Sequence, residues 1–197
     1  LSSVYQVDSP TGNISYDSAK VWMQHPFVQK AIPLAFGDNY RGYKILGTTP
    51  DYLEKYGATI SEGKLFEKNF EVVIGSDIAK KLSLKIGDEF FGSHGDAAEG
   101  EVHDHYAYKV VGIAKPTGKV VDNLILCTIP SVWQMHGSHG EEENPDHGEK
   151  GHVHVEGDEH HHETADLTLD EPGMEITAVL LKFRNKMGIV TWPRIIA

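Results

Sequence analysis

The stretch that decides the fold lies near the middle of the chain, where residues 72–88 have the sequence VVIGSDIAKKLSLKIGD. Its β-branched start predicts a short strand. Ser76 belongs to a residue type that caps helices, and Ile78 and Leu82 follow it at helical spacing. The glycine and aspartate at its end predict a tight turn into a further strand. The stretch therefore indicates a strand, a helix and a turn in succession.

Similar patterns continue on both sides of this stretch. Strands are expected at Val28–Phe36, Tyr43–Thr48, Tyr106–Ile113, Asn123–Ile129 and Met174–Phe183, and helices near Ser18–Gln24, Asp51–Tyr56 and Met187–Ile196. The triplet Gly37-Asp38-Asn39 predicts the turn after the first of these strands. The last strand has two apolar faces, which is typical of a strand covered on both sides. Pro193 is expected to interrupt the closing helix. The fold class is predicted as α+β, with mixed strands and short helices.

Composition limits the classes of function. A chain of 197 residues with 40% apolar residues is long enough to bury a core, as one domain or two small lobes. Its net charge is −11, and nucleic-acid binding depends on neutralising phosphates with basic side chains. DNA and RNA are therefore poor candidates as partners. Cys127 is the single cysteine, which excludes an internal disulfide and thiolate metal sites.

The two ends of the sequence suggest a domain cut from a longer chain. The start, Leu1-Ser2-Ser3-Val4, has no basic region followed by an apolar run, and no stretch reaches the roughly 18 apolar residues that would cross a bilayer. The last seven residues, TWPRIIA, become more apolar and then stop without a polar tail. An apolar segment is expected to follow them.

Residues 137–168 differ abruptly in composition from the rest. Between residues 141 and 163 there are nine acidic residues and one lysine, which account for most of the net charge of the chain. This His- and acid-rich segment contains few apolar residues and cannot offset the entropy lost on ordering. It is predicted to be an inserted loop that stays disordered without a bound metal.

The strongest local signal is a cluster of histidines, because eleven of the twelve lie between residues 94 and 162. Neutral imidazole is the commonest protein ligand for zinc and also binds nickel and copper. The candidate metal ligands are His94, His103, His105, His139, His147, His152, His154, His160, His161 and His162, with His136 beside them. His25, next to a proline, is interpreted as structural.

The candidate ligands form two subsets. On a strand, His103 and His105 project to the same face, and a hairpin through residues 95–100 could bring His94 opposite them. Three imidazoles with a carboxylate or water complete a tetrahedral zinc shell. The second subset, from His136 to His162, lies among carboxylates, which suits weak binding at several exchangeable sites. The alternatives are a solvated hairpin tip for the first subset and a plain acidic linker for the second.

Catalytic motifs are not found. Residues 112–120, GIAKPTGKV, resemble a phosphate-binding loop, but they have five residues between the glycines where that motif has four, and Val120 stands where a hydroxyl must reach magnesium. Residues 152–157, HVHVEG, lack the further histidine that metallohydrolases use. There is no HExxH helix and no GxSxG elbow. No catalytic residue and no enzyme activity are assigned to the domain.

Residues 72–88 also resemble the periplasmic core domain of MacB/FtsX-type ABC-transporter permeases, in which a strand, a helix and a Gly-Asp turn occur in this order. The resemblance continues at Glu62–Phe66, Tyr108–Ile113, Pro116–Gly118 with Asp122, and Ile176–Lys182. Each motif is common by itself, and their order along the chain is the specific feature. The resemblance covers residues 1–197 apart from the two histidine-bearing loops.

The resemblance implies a two-lobed extracytoplasmic domain of a bacterial inner-membrane permease, held by flanking membrane helices. The permease would act as a homodimer with a cytoplasmic ABC ATPase, in some cases with a periplasmic partner protein, and would couple ATP-driven conformational change to transport or release of a substrate. Combined with the histidines, it leads to a permease domain whose loops bind a divalent metal, zinc first. The alternatives are a free-standing periplasmic metal buffer or metallochaperone and, more distantly, a zinc hydrolase. Apolar segments of about 20 residues on both sides of this chain would favour the permease.

Overall fold

The structure is a computed structural model, which describes residues 12–93, 106–137 and 167–195. The strands in these residues are β1 (Ile14–Ser15), β2 (Val28–Tyr40), β3 (Tyr43–Thr48), β4 (Ile60–Gly63), β5 (Glu71–Ile74), β6 (Glu89–Phe90), β7 (Tyr108–Ala114), β8 (Ile125–Thr128), β9 (Glu175–Ile176) and β10 (Ala178–Phe183). The helices are α1 (Tyr16–Met23), α2 (Asp51–Tyr56), α3 (Ser76–Leu82), α4 (Ile129–Gly137) and α5 (Lys186–Ile195), with a 3-10 helix at Val120–Asn123.

Most of the strands join one mixed sheet. Its order is β10-β2-β3-β8-β5-β7-β4, and β6 pairs with β7 outside this path. The pairs β3–β8 and β5–β7 are parallel, whereas the other neighbours are antiparallel. The short strands β1 and β9 form a separate antiparallel ladder. The predicted α+β class is confirmed, and the expected division into two lobes stays a prediction.

Apolar side chains alternate between the two faces of the sheet, as the period of a strand requires. Ile45, Ile74 and Ile125 belong to one buried cluster, which α1, α3 and α4 cover. Leu46, Val73 and Leu126 are adjacent to them along the same strands, and they belong to a second cluster beneath α2. All six side chains are at most 1% exposed, and each contributes about 1.5–3 kcal/mol through burial. Both faces of the central strands are therefore packed.

The prediction for residues 72–88 is confirmed in its main features. β5, α3 and β6 follow one another, and Gly87 makes the turn with a φ of 93°. The predicted cap is wrong by one residue, because Gly75 rather than Ser76 is the N-cap of α3. A Cβ at residue 75 would collide with the carbonyl oxygens of Val121 and Asp122, so this helix start needs a glycine more than it needs a capping side chain.

Three further predictions need correction. The chain does not turn at residues 37–39, because β2 continues through a bulge to Tyr40 and the turn falls at Arg41 and Gly42, both with positive φ. The predicted strand at 174–183 is divided at Thr177, whose N–H donates to the Leu34 oxygen at 2.8 Å. Its second part, β10, is a half-buried edge strand rather than one covered on both sides.

The prediction that the closing helix is interrupted also needs correction. Pro193 lies inside α5 and does not interrupt it. The proline stands only two residues before the last residue of the helix, so little of the helix depends on the hydrogen bond that proline cannot make. Among the described residues, no helix is both long enough and apolar enough to span a membrane.

Candidate metal-binding loops and their attachment to the sheet

All the predicted metal ligands lie outside the described residues, in the segments 94–105 and 138–166. They are His94, His103, His105, His139, His147, His152, His154, His160, His161 and His162. Within the ranges that the structure does describe, no three His, Cys, Asp or Glu side chains are grouped so that they could hold a metal ion. The structure does show how each of the two segments is attached to the sheet.

The first segment leaves from an antiparallel stem. In the pairing of β6 with β7, Glu89 lies opposite Lys109 and Phe90 opposite Tyr108. Ser93 continues the stem by exchanging two backbone hydrogen bonds with Asn39 of β2, at 2.9 and 3.1 Å. Residues 94–105 therefore connect two paired strands, and the predicted hairpin through residues 95–100 lies outside the described residues and stays a prediction.

Aromatic rings pack along the base of this stem. Ring centroids are 4.3 Å apart for Tyr40 and Phe90, 5.8 Å for Phe90 and Tyr108, and 5.6 Å for Tyr108 and Phe70. Phe70 also stacks on Tyr106 at 4.8 Å, immediately after the undescribed segment. Such pairs each contribute about 0.5–1.5 kcal/mol beyond area burial. The residues on both sides of the first segment are consequently held together by packed aromatic rings.

A buried carboxylate lies beside the same stem. Asp38 is 4% exposed, and a Cβ built at Gly92 would lie 2.9 Å from its Oδ2 atom. Burial raises the pKa of the Tyr108 hydroxyl, and electrostatic interactions with Cys127 and Asp38 raise it further. The sequence analysis missed Asp38 by placing it in a turn. The apolar run before Asp38 was the signal that could have located it, because the strand continues from that run through Gly37 and Asp38.

The second segment is held at both of its ends. It follows α4, which packs on β2, β3 and β8. Leu167 is the first described residue after the segment, and its backbone oxygen accepts a hydrogen bond from Asn69 Nδ2 at 3.1 Å. Asn69 is fixed in turn by Thr128, whose hydroxyl donates to its Oδ1 at 2.8 Å, and Ser131 Oγ accepts from the Phe70 N–H at 2.8 Å. The 137–168 segment is thus attached beside β5 and β8.

The remaining chemistry-bearing residues have structural roles. Cys127 is fully buried, and burial raises the pKa of its thiol although Ser131 lowers it slightly. This thiol therefore stays protonated at neutral pH. His25 accepts a hydrogen bond from the Phe27 N–H at 3.2 Å and packs against Phe27 and Trp192. That is the structural role predicted for it.

The segment that resembles a phosphate loop binds its own aspartate. Asp122 is 5% exposed, and its carboxylate accepts hydrogen bonds from the Thr117 N–H, the Thr117 hydroxyl and the Gly118 N–H at 2.7–3.0 Å. Lys119 Nζ donates to the backbone carbonyl oxygen of Tyr56. The N–H groups that a phosphate loop would direct at a nucleotide are used inside the protein, which supports the dismissal of that motif.

The fold is similar to that of one solved transporter domain, and a second solved domain matches a smaller part of the chain. One is the extracellular domain of the noncanonic ABC-type transporter YknZ from Gram-positive bacteria, with a TM-score of 0.54 and 10% identity over 91% of this chain and 78% of that one. The other is the periplasmic region of MacB from Actinobacillus actinomycetemcomitans, with a TM-score of 0.47 and 12% identity over 61% of this chain. This chain covers 57% of that MacB region. No curated protein matches the sequence.

A match to a family model defines the class as an extracytoplasmic domain of an ABC-type transporter permease. Over residues 2–156 the sequence matches the MacB-like periplasmic core domain, and the chain belongs to that family. The resemblance expected from residues 72–88 is therefore confirmed. The family is a transporter family and not a known class of catalytic domain.

Proposed function

We propose that this domain belongs to an inner-membrane permease that couples ATP-driven conformational change to transport or release of a substrate. A second copy of the permease and a cytoplasmic ABC ATPase are the partners, and a periplasmic protein is a further one. The observation that carries this proposal is the family match over residues 2–156. A continuous hydrogen-bonded sheet from β10 to β4 supports it, because packed strands move together and can carry a displacement across the domain.

The experiment for this proposal is purification of the full-length protein from membranes in mild detergent. An ABC ATPase is expected to co-purify with it, and two permease copies are expected in the particle. A disulfide between introduced cysteines in two differently tagged copies measures the dimer. A full-length protein that lacks apolar segments flanking this domain, and that purifies from the periplasmic fraction, would contradict the permease and favour the free-standing metal buffer.

We further propose that the two histidine-bearing loops bind a divalent transition metal, with zinc as the first candidate. Their imidazoles have the ligand chemistry of zinc, and the carboxylates of the second loop attract cations. The stem formed by β6 and β7 supports a pre-organised first loop, because its two ends are already held together. The second loop closes a much longer segment, so binding an ion costs it more chain entropy. The first loop is expected to bind more tightly.

The expected result for metal binding separates the two loops. Deleting residues 138–163 should reduce the number of zinc ions bound and leave at least one site, whereas His103→Ala combined with His105→Ala should weaken the tightest site by about tenfold or more. Isothermal titration calorimetry at pH 7.5 measures both numbers. Affinity should fall at pH 5.5, because imidazoles with a pKa of about 6.5 must lose a proton before they bind metal.

The matched control is His25→Gln, since His25 lies outside both loops and should leave zinc stoichiometry and affinity unchanged. Circular dichroism of all variants should match that of the parent chain, because the changes leave the described strands and helices unaltered. If the deletion abolishes all binding and the double substitution has no effect, the hairpin site is wrong. Equal affinity at the two pH values would mean that carboxylates rather than histidines are the ligands.

A further inference from the structure

An aromatic cluster joins α1, the loop after it and α5. The ring of Trp192 lies 5.0 Å from Phe183, 5.4 Å from His25 and 5.9 Å from Trp22, measured between centroids. Arg184 ties the loop to β10, because its N–H donates to the Phe27 oxygen at 2.9 Å and its Nε to the Pro26 oxygen at 3.0 Å. The two helices and the loop therefore form one continuous surface at this edge of the sheet.

Large apolar side chains are exposed on this surface. The four most exposed ones in the described part of the chain are Val190, Val21, Met187 and Ile189, at 70%, 66%, 64% and 59%. Trp22 and Phe27 add two more, at 37% each. We name these six side chains the α5 patch. It holds six of the ten large apolar side chains that are exposed in the described residues, so the exposure is concentrated and not scattered.

Helix α5 exposes these residues for a geometric reason. Its buried side carries Gly188, where a Cβ would lie 3.0 Å from Phe183, and Trp192 one turn later. Met187, Ile189 and Val190 point away from that contact because of the helical period. With ten residues, α5 is about 15 Å long, which is half the thickness of a bilayer core. A helix of this length with exposed apolar side chains can lie along a membrane surface.

The charge around the α5 patch is opposite to that of the whole chain. Residues 176–195 contain four basic residues and no acidic one, although the chain has 29 acidic and 18 basic residues. The four bases, Lys182, Arg184, Lys186 and Arg194, are all exposed. Apolar and tryptophan side chains bordered by lysine and arginine are typical of helices that lie in the interface of anionic membranes.

We propose that the α5 patch rests in the headgroup region of an anionic lipid bilayer. The apolar side chains enter the interface, and Arg184, Lys186 and Arg194 contact lipid phosphates, each contributing to binding as basic residues near an anionic surface do. A second copy is a poorer occupant, because a two-fold interface places the same surface on both sides and would bring the bases of one copy against those of the other. This contact goes beyond the proposed function and needs neither zinc nor ATP. It fixes the edge formed by α1 and α5 as the membrane-facing edge of the domain.

The experiment is flotation of this chain with lipid vesicles. The chain should float with vesicles of phosphatidylcholine that contain about one quarter phosphatidylglycerol, and much less with phosphatidylcholine alone. The combined substitution Met187→Gln, Ile189→Gln and Val190→Gln should reduce the vesicle-bound fraction about tenfold or more. Lys186→Gln with Arg194→Gln should remove most of the preference for anionic vesicles. Tryptophan emission should shift to shorter wavelength on binding, because Trp22 and Trp192 lie at the patch.

The matched control is Leu65→Gln with Ile86→Gln, which removes two apolar side chains of 38% and 42% exposure outside the α5 patch. This variant should bind vesicles as the parent chain does. The proposal is overturned if the chain does not float with either vesicle, or if the triple variant floats as well as the parent. It is also overturned if the parent forms a concentration-dependent dimer that the triple variant loses, since a second copy then occupies the patch.

Discussion

The variant Gly75→Ala is expected to lose roughly 3 kcal/mol or more of its free energy of unfolding, because the added Cβ overpacks a site that cannot relax cheaply. The atoms that the Cβ would meet are the carbonyl oxygens of Val121 and Asp122, which belong to the backbone of the 3-10 helix. No side-chain rotation relieves such a collision. The Gly75 N–H also donates to the Leu124 oxygen at 2.9 Å, so moving residue 75 breaks the contact between α3 and the chain before β8.

Urea denaturation followed by circular dichroism measures this loss. The matched control is Gly57→Ala, because Gly57 has a φ of 68° and no neighbouring atom within 4 Å of a built Cβ. Its cost should be only the left-handed backbone conformation, about 1–2 kcal/mol. Gly75 has a φ of −67°, so its cost is steric alone. If Gly75→Ala were no more destabilising than the control, the close approach of α3 to the 3-10 helix would be wrong.

The local order of elements around residues 72–88 was predictable because each element there has its own sequence signal. The alternation of Val72 and Ile74 against Val73 places side chains in both clusters, which a strand buried on both faces requires. The sheet order was not predictable in this way. β3 and β8 pair in parallel with Ile45 opposite Ile125, and nothing local in either strand specifies a partner so far along the chain.

The errors at residues 37–39 and 75–76 have the same cause. Glycine, aspartate and serine are common in turns and caps, so their presence led to the prediction of a turn at one place and a helix cap at the other. Gly37 instead provides space, since a Cβ there would lie 3.2 Å from the methyl groups of Val132 on α4. Asp38 is buried by the stem that passes over it. In both places tertiary packing decided the residue type, and a sequence pattern alone does not report packing.

The two proposed sites differ in how much of each could be predicted from the sequence. The metal hypothesis came from composition alone, because histidine clustering needs no fold to be seen. The α5 patch needed the fold, since Trp22 and Phe27 come from one end of the chain and Met187–Val190 from the other. Part of its signal was visible in the sequence as the rise in hydrophobicity near the last residues. The contact of Trp22 with Trp192 is what joins the parts into one surface.

The variant Asp122→Ala is expected to lose about 3 kcal/mol of its free energy of unfolding, because it removes the acceptor of several buried hydrogen bonds at once. Without the carboxylate, the Thr117 N–H and the Gly118 N–H lose the bonds of 2.7–3.0 Å that hold the loop between β7 and the 3-10 helix. Bonds to charged acceptors contribute about 1.5–3 kcal/mol each, which makes this aspartate more important than an ordinary turn residue. Asp122→Asn should have an intermediate effect, because one of its two acceptors is replaced by a donor facing an N–H.

Asp88→Ala is the matched control for this loop, because Asp88 also closes a turn by accepting a backbone N–H, that of Lys85 at 2.8 Å, but does so at an exposed position. Water can replace the lost acceptor there, so the expected cost is about 0.5–1 kcal/mol. Chemical denaturation compares the three variants. Asp122 belongs to the 3-10 helix that Gly75 contacts. The double variant Gly75→Ala with Asp122→Ala should therefore lose less stability than the sum of the losses of the two single variants. Strictly additive losses in the double variant would contradict the coupling between α3 and the 3-10 helix. Equal losses for Asp122→Ala and Asp88→Ala would contradict the importance of the partly buried hydrogen bonds of Asp122.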